Sequence, residues 1–169
     1  MKKTSLVVLL LTLCGVSVVW AQFAPKAGQP YSLAETTSGL FLDIQTLGIN
    51  EANAGTVTNN ISLSAKPCAI YFEASNGKWI MKNKNGGYVQ QATNRIWNVV
   101  IGSTPYEWTI NELPAGALTI ARADGKYIDV DAKVAGQPLF CDKSTAMEFT
   151  LQEYETINYK LVIDAPEGK

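Results

Sequence analysis

Histidine is missing from all 169 residues, which removes the usual general base of an enzyme and the commonest side chain for holding a metal. Cysteine is scarce: Cys14 falls in a leader, and only Cys68 and Cys141 follow it. Two cysteines make no disulfide scaffold, and nothing in their spacing resembles a zinc site. Export of the chain permits one disulfide between them, while a pair of buried thiols acting as small apolar residues is the plainer alternative. Basic residues form no cluster, so nucleic acid, whose binding depends on dense cations that neutralise phosphates, is not an expected partner. No phosphate-cradling glycine loop is present either, since Asn85-Gly86-Gly87 reads as a hairpin turn. Beyond the leader no apolar run is long enough to span a bilayer as a helix, and helical periodicity is missing over any useful window. No metal and no cofactor are expected.

The leader is residues 1–21. Lys2 and Lys3 give a positive start, Leu6 to Leu13 an apolar run and Val19-Trp20-Ala21 a small-residue cleavage site, which together describe a secretory signal peptide. The run is short for a membrane anchor, and Leu13 is not the small residue that precedes a lipid-modified cysteine. The expected mature chain starts at Gln22 and is secreted, periplasmic or held at the cell surface. Without Lys2 and Lys3 it keeps 12 basic residues against 15 acidic ones, a net charge of −3. Its size allows one domain with a core. Residues 22–30, with Pro25 and Pro30, read as an extended polar leader, and order is expected from Tyr31.

From Tyr31 onward, short runs rich in β-branched and aromatic residues alternate with Gly, Asn, Asp and Pro about every eight to twelve residues, the pattern of an all-β sandwich or barrel. Twelve strands are expected, at 31–35, 40–45, 61–65, 70–74, 79–83, 88–91, 96–101, 107–111, 118–122, 127–131, 139–142 and 148–152. They repeat. Gly125 to Val130 reads GKYIDV, Gly39 to Ile44 reads GLFLDI, and Gly86 to Gln91 reads GYVQQ once the extra glycine at Gly87 is aligned. Each copy is a glycine turn, an aromatic, an aliphatic and a polar residue. A second element recurs around Phe72, Trp108 and Phe149, spaced by 36 and 41 residues. An opening strand precedes each glycine turn, at 31–35, 79–83 and 118–122.

A period near 40 residues also occurs in propeller blades, but three blades are too few to close. Three units of four strands instead fit a β-trefoil with pseudo-threefold symmetry over residues 31–153, a six-stranded barrel capped by three hairpins. Phe72, Trp108 and Phe149 are then expected as core near its axis.

At this point the chain resembles the ricin-type β-trefoil family of lectins and carbohydrate-binding modules. The residues that carry the resemblance are Leu42-Asp43-Ile44 and Ile128-Asp129-Val130, Gly136-Gln137-Pro138-Leu139, and Trp108 as the tryptophan of the family's Gln-x-Trp. Its glutamine is replaced by Ile70, Tyr106 and Met147, and its tryptophan by Phe72 and Phe149 in the outer units. Phe41 and Tyr127 stand where the family often has a cysteine, so the resemblance implies no disulfide within a unit for Cys141, and one to Cys68 would have to bridge two units.

The resemblance implies noncatalytic binding of glycans in shallow pockets, one per unit, where an aspartate accepts hydrogen bonds from paired hydroxyls and an aromatic stacks on the ring. The chemistry is sound, because a carboxylate is a strong acceptor and a flat ring covers C–H surface at small entropic cost. Asp129 and Asp43 become the anchors of the third and first units, and Gln90 leaves the middle unit without a carboxylate. The third site also takes Gln137, with Phe140 or Asp142 at the stacking position, Phe140 being the chemically apt one. The first unit offers only Asn59, Asn60 and Ser62 there. Trp97 is a platform or an edge-packing residue. Against all this stands a plain structural role, in which Asp43 and Asp129 cap the turns beside them.

No catalysis is expected. Asp129 and Asp131, about 7 Å apart on one face of an extended strand, form a carboxylate pair of the kind glycosidases use, but alternation alone places solvent-facing acids at that spacing. The tail, 154–169, carries a surplus strand at 158–164. It either replaces 31–35 in closing the barrel or begins a further β domain of a longer glycan-processing protein. A scaffold or protein-interaction module with degenerate sugar sites is the rival to the lectin reading.

Overall fold

The computed structural model describes residues 23–48, 60–93 and 96–155. The expected signal peptide at 1–21, Gln22, Asn59 and the expected surplus strand at 158–164 lie outside the described residues. Within them the protein is all-β, with twelve antiparallel strands: β1 (Tyr31–Glu35), β2 (Phe41–Gly48), β3 (Asn60–Ser64), β4 (Tyr71–Ser75), β5 (Lys78–Lys82), β6 (Tyr88–Gln91), β7 (Val99–Gly102), β8 (Thr109–Glu112), β9 (Leu118–Ala121), β10 (Tyr127–Asp129), β11 (Phe140–Lys143) and β12 (Phe149–Glu153).

The three recurring glycines explain why three of these strands start where they do. Gly39, Gly86 and Gly125 have φ of 71°, 83° and 80°. A Cβ at any of them would meet nothing within 4 Å, so what glycine supplies is the left-handed backbone and not space. After each turn the strand sends alternate residues inward: Leu42 and Ile44, then Val89, then Ile128 and Val130 are buried.

Strand pairing follows two patterns. β1 pairs with β12, β12 with β9, β9 with β8, and β4 with β5. Single bridges join Trp79 of β5 to Trp108 just before β8, and Tyr31 of β1 to Ile70 just before β4. Backbone hydrogen bonds therefore lead from β1 through β4, β5, β8, β9 and β12 back to β1. The other six strands form the hairpins β2–β3, β6–β7 and β10–β11. These touch one another through Asn60 and Val100, Asn98 and Phe140, and Ser62 and Pro138.

Four strands are shorter than their sequence suggests, β9 by the single residue after Ala121. β7 begins at Val99 and not at Ile96, because the Ile96 carbonyl accepts from Gln91 Nε2 at 2.5 Å and the Trp97 carbonyl from the Cys141 N–H at 2.7 Å, outside the β6 ladder. β8 begins at Thr109, since Trp108 spends both its backbone groups on Trp79. β10 stops at Asp129, whose Oδ1 takes the Val130 N–H at 2.8 Å.

One core runs through the molecule, and Phe72, Trp108 and Phe149 are all buried in it. The leader also contributes, contrary to the expectation of order from Tyr31. Phe23 is buried and packs edge-on against Phe72 and Trp79 at ring-centroid distances of 5.2 and 5.1 Å. The chain then turns at Lys26 to Gln29, and the Lys26 N–H donates to the Tyr31 hydroxyl at 3.0 Å. The residues between the two prolines are thus folded back, because Phe23 gains more from the core than from water.

Cys68 and Cys141 are buried and are not bonded to each other. Cys68 Sγ donates to the Leu42 carbonyl at 3.2 Å, and Cys141 Sγ approaches the Ile96 carbonyl at 3.4 Å. Burial pushes the Cys141 thiol up to about 11. Cys141 is accordingly expected to resist iodoacetamide at pH 8 in the native protein and to react once denatured, measured by peptide mass; rapid native labelling would contradict the burial.

Candidate functional site

The β10–β11 hairpin carries the residues of interest. In β10, Ile128 points into the core, so Tyr127 and Asp129 face outward; in β11, Cys141 points in. Tyr127 pairs with Lys143 and Asp129 with Phe140, and between these pairs Cys141 and Asp142 together stand against Ile128 alone. That bulge decides which residue faces Asp129. It sets Phe140 directly across from Asp129, where facing Cβ atoms lie about 5 Å apart, and it leaves Asp142 exposed to solvent.

Asp129 is half-buried and held at both oxygens. Oδ1 accepts the Val130 N–H, and Oδ2 accepts the Thr145 hydroxyl at 2.7 Å. A carboxylate offers about four acceptor positions, so the two bonds fix its orientation and leave others for a ligand. Lys143 stands over the Phe140 ring, its Nζ 4.9 Å from the centroid, and is hydrogen-bonded to Asp131 Oδ1 at 2.5 Å. That bond holds the ammonium above its usual pKa against a smaller opposing effect of burial, and the charges of Asp131, Asp142 and Asp129 add to the rise. Gln137 is half-buried at the approach to β11; its carbonyl accepts the Leu63 N–H at 3.1 Å, which ties this stretch to β3.

Asp131 does not share a strand face with Asp129, because β10 has ended. It is exposed and paired to Lys143. The two-carboxylate arrangement of an extended strand is therefore not formed here.

The other two copies differ. Asp43 on β2 sits opposite Ser62 and is only 8% exposed. Asn60 is buried, its Oδ1 accepting from Asn98 Nδ2 at 3.0 Å. In the middle copy Gln90 Oε1 accepts the Thr104 N–H at 3.2 Å, and its side chain lies so close over Gly102 that a Cβ there would be 2.2 Å from Gln90 Cδ. The Gln90 side chain therefore packs over Gly102. Trp97 is 42% exposed, at the edge of the hairpin cluster and not in the core.

Sequence reasoning missed Thr145 and Lys143. A signal for Thr145 existed: Thr104 and Thr145 both lie four residues before a core aromatic, Trp108 and Phe149, and both donate to the polar residue of the glycine-turn strand. Lys143 had none, since its place over Phe140 depends on the bulge.

Away from this hairpin, a cleft of about 320 Å³ lies between Gly28 of the leader and Tyr71, Glu73, Lys82 and Lys84. Glu73 and Lys82 close on each other as an ion pair inside it. Among the described residues no group of three His, Cys, Asp or Glu is placed to hold a metal, and no helix is long and apolar enough to cross a membrane.

No protein-family model matches the chain, and no curated protein matches it. Among solved structures it is similar to one described as a GH43 beta-1,3-galactosidase, with 19% sequence identity and a TM-score of 0.60. The match covers 80% of this chain and 29% of that one, so it takes in less than a third of the galactosidase. At that identity the likeness is one of β-rich fold.

Proposed function

We propose that the protein is an exported β-trefoil of the ricin type that binds glycans without catalysis, with Asp129 and Phe140 as its principal site. One observation carries the reading: the register of β10 and β11 sets an aromatic ring across from a half-buried carboxylate that still has acceptor positions to give. The closed route through six strands and the three mutually touching hairpins support the trefoil. The similar structure is named for an enzyme of galactosides and is much longer than the match, which suits a module appended to a longer glycan-processing chain. Asp43, being buried, is the weaker anchor, and Gln137 and Asp142 border the main site. Affinity per site is expected to be weak, because shallow pockets bury little ligand.

A glycan array tests this with the wild type, Asp129→Asn and Asp129→Ala. The expected result is a glycan signal lost in both variants while their denaturation midpoints stay near the wild type. The rival, a scaffold or protein-interaction module, draws on the fact that both Asp129 oxygens already have intramolecular partners. A wild type without any glycan signal favours that rival. Glycoside hydrolysis by the isolated chain, assayed alongside, would overturn the noncatalytic part.

A further inference from the structure

Lys143 sits in the one place where a ligand of the Asp129 site has to go. A sugar ring that stacks on Phe140 while its hydroxyls reach Asp129 needs a face of the aromatic ring, and the Lys143 ammonium stands over that ring at 4.9 Å. A cation at this distance is attracted to the ring face, and a neutral sugar has to displace it in order to stack there. The bulge between the Tyr127–Lys143 and Asp129–Phe140 pairs creates the arrangement, because it brings residues three apart in β11 onto one side. Asp131 also holds the ammonium, at 2.5 Å, and is itself 59% exposed, so the pair can follow the flexible lysine stem if it swings outward. Leaving the ring therefore costs the ring contact and little else. The surroundings also choose the ligand's charge. The charges of Asp131, Asp142 and Asp129 all act on the one Lys143 ammonium. The net charge of the four groups is negative, which repels carboxylated or sulfated sugars.

We propose that Lys143 is a built-in occupant of the Asp129 site, covering Phe140 until a neutral sugar ring displaces it, and that it is thereby the residue that sets affinity there. The inference rests on the glycan-binding reading of that site.

Two measurements test it. In the ligand-free protein, ring currents from Phe140 are expected to shift the Lys143 Cε protons upfield, and Phe140→Leu to abolish the shift. Lys143 signals that do not differ between wild type and Phe140→Leu overturn the inference whatever binds. The second is a glycan array of neutral, carboxylated and sulfated glycans, followed by isotherms for the strongest neutral glycan, with wild type, Lys143→Ala and Asp129→Asn. Lys143→Ala is expected to bind that glycan about two- to fivefold more tightly, the range of an exposed cation–ring contact. Asp129→Asn is expected to lose it. Binding lost in Asp129→Asn but equal or weaker in Lys143→Ala overturns the occupant and leaves the lectin reading standing, as does a preference for the anionic glycans. No binding by wild type or Lys143→Ala, or binding untouched in Asp129→Asn, overturns both.

Discussion

Trp108→Ala is expected to lower the free energy of unfolding by about 3–5 kcal/mol from the loss of the buried ring alone. Its side chain is fully buried, and its Nε1–H donates to the Val89 carbonyl at 2.8 Å. Truncation thus opens a cavity and also removes a donor from a buried acceptor, a second cost of roughly 1–3 kcal/mol if no water replaces it. Domains of this size are stable by only about 5–15 kcal/mol, so the variant is expected to lose a large share of its stability.

The position matters beyond its volume. Trp108 exchanges both backbone hydrogen bonds with Trp79, at 2.8 and 2.9 Å, and this bridge joins β5 to the start of β8. Tyr106 lies against the indole with centroids 4.7 Å apart. Trp108→Phe keeps most of the ring and loses the donor, so it is expected to cost about 1–3 kcal/mol, well short of alanine. Urea denaturation followed by far-UV circular dichroism orders the three proteins. Equal midpoints for Trp108→Phe and Trp108→Ala would mean that packing contributes little there, contrary to a fully enclosed indole.

What was legible in the sequence was local. Gly39, Gly86 and Gly125 announce turns because their φ is one that other residues resist, and inside-outside alternation after each one follows from the pleat. The burial of Phe72, Trp108 and Phe149 was legible from their spacing in the chain. Ile96 and Trp97 misled because apolar, β-prone residues read as strand, whereas both sit exposed on a turn whose carbonyls serve Gln91 and Cys141. Phe23 was overlooked ahead of two prolines that suggested an extended leader, since its partners Phe72 and Trp79 lie some fifty residues on. At the β10–β11 hairpin the strands were legible and the register was not. Choosing between Phe140 and Asp142 turned on one bulged residue in β11, and no spacing rule encodes a bulge.

Glu35→Gln is expected to cost about 2–4 kcal/mol at pH 7 and to flatten the acid limb of the stability curve. Glu35 ends β1 with its carboxylate out of water, only 1% exposed. Its Oε1 accepts from Lys133 Nζ at 2.6 Å, and its Oε2 from the backbone N–H groups of Ser38 and Thr37 at 2.6 and 3.1 Å. Burial by itself pushes this carboxyl up; the Lys133 ammonium and the Ser38 and Thr37 donors outweigh it and hold the pKa at about 2. The folded value is depressed below the ordinary 4.5, so the stabilisation is fully present above about pH 4.5 and is lost as the pH falls toward 2. The corresponding free energy is about 3 kcal/mol, reduced at high salt because Lys133 is partly exposed. Glutamine cannot carry the charge that Lys133 and the two amides are arranged to meet, and it leaves the ammonium with the Thr37 hydroxyl at 3.3 Å and water. Urea midpoints measured from pH 2 to 7 should therefore show wild type and Glu35→Gln far apart at neutral pH and converging near pH 2. Parallel curves across that range would show that the Glu35–Lys133 link, which spans 98 residues of chain, contributes nothing to holding the loop before β11 against the turn after β1.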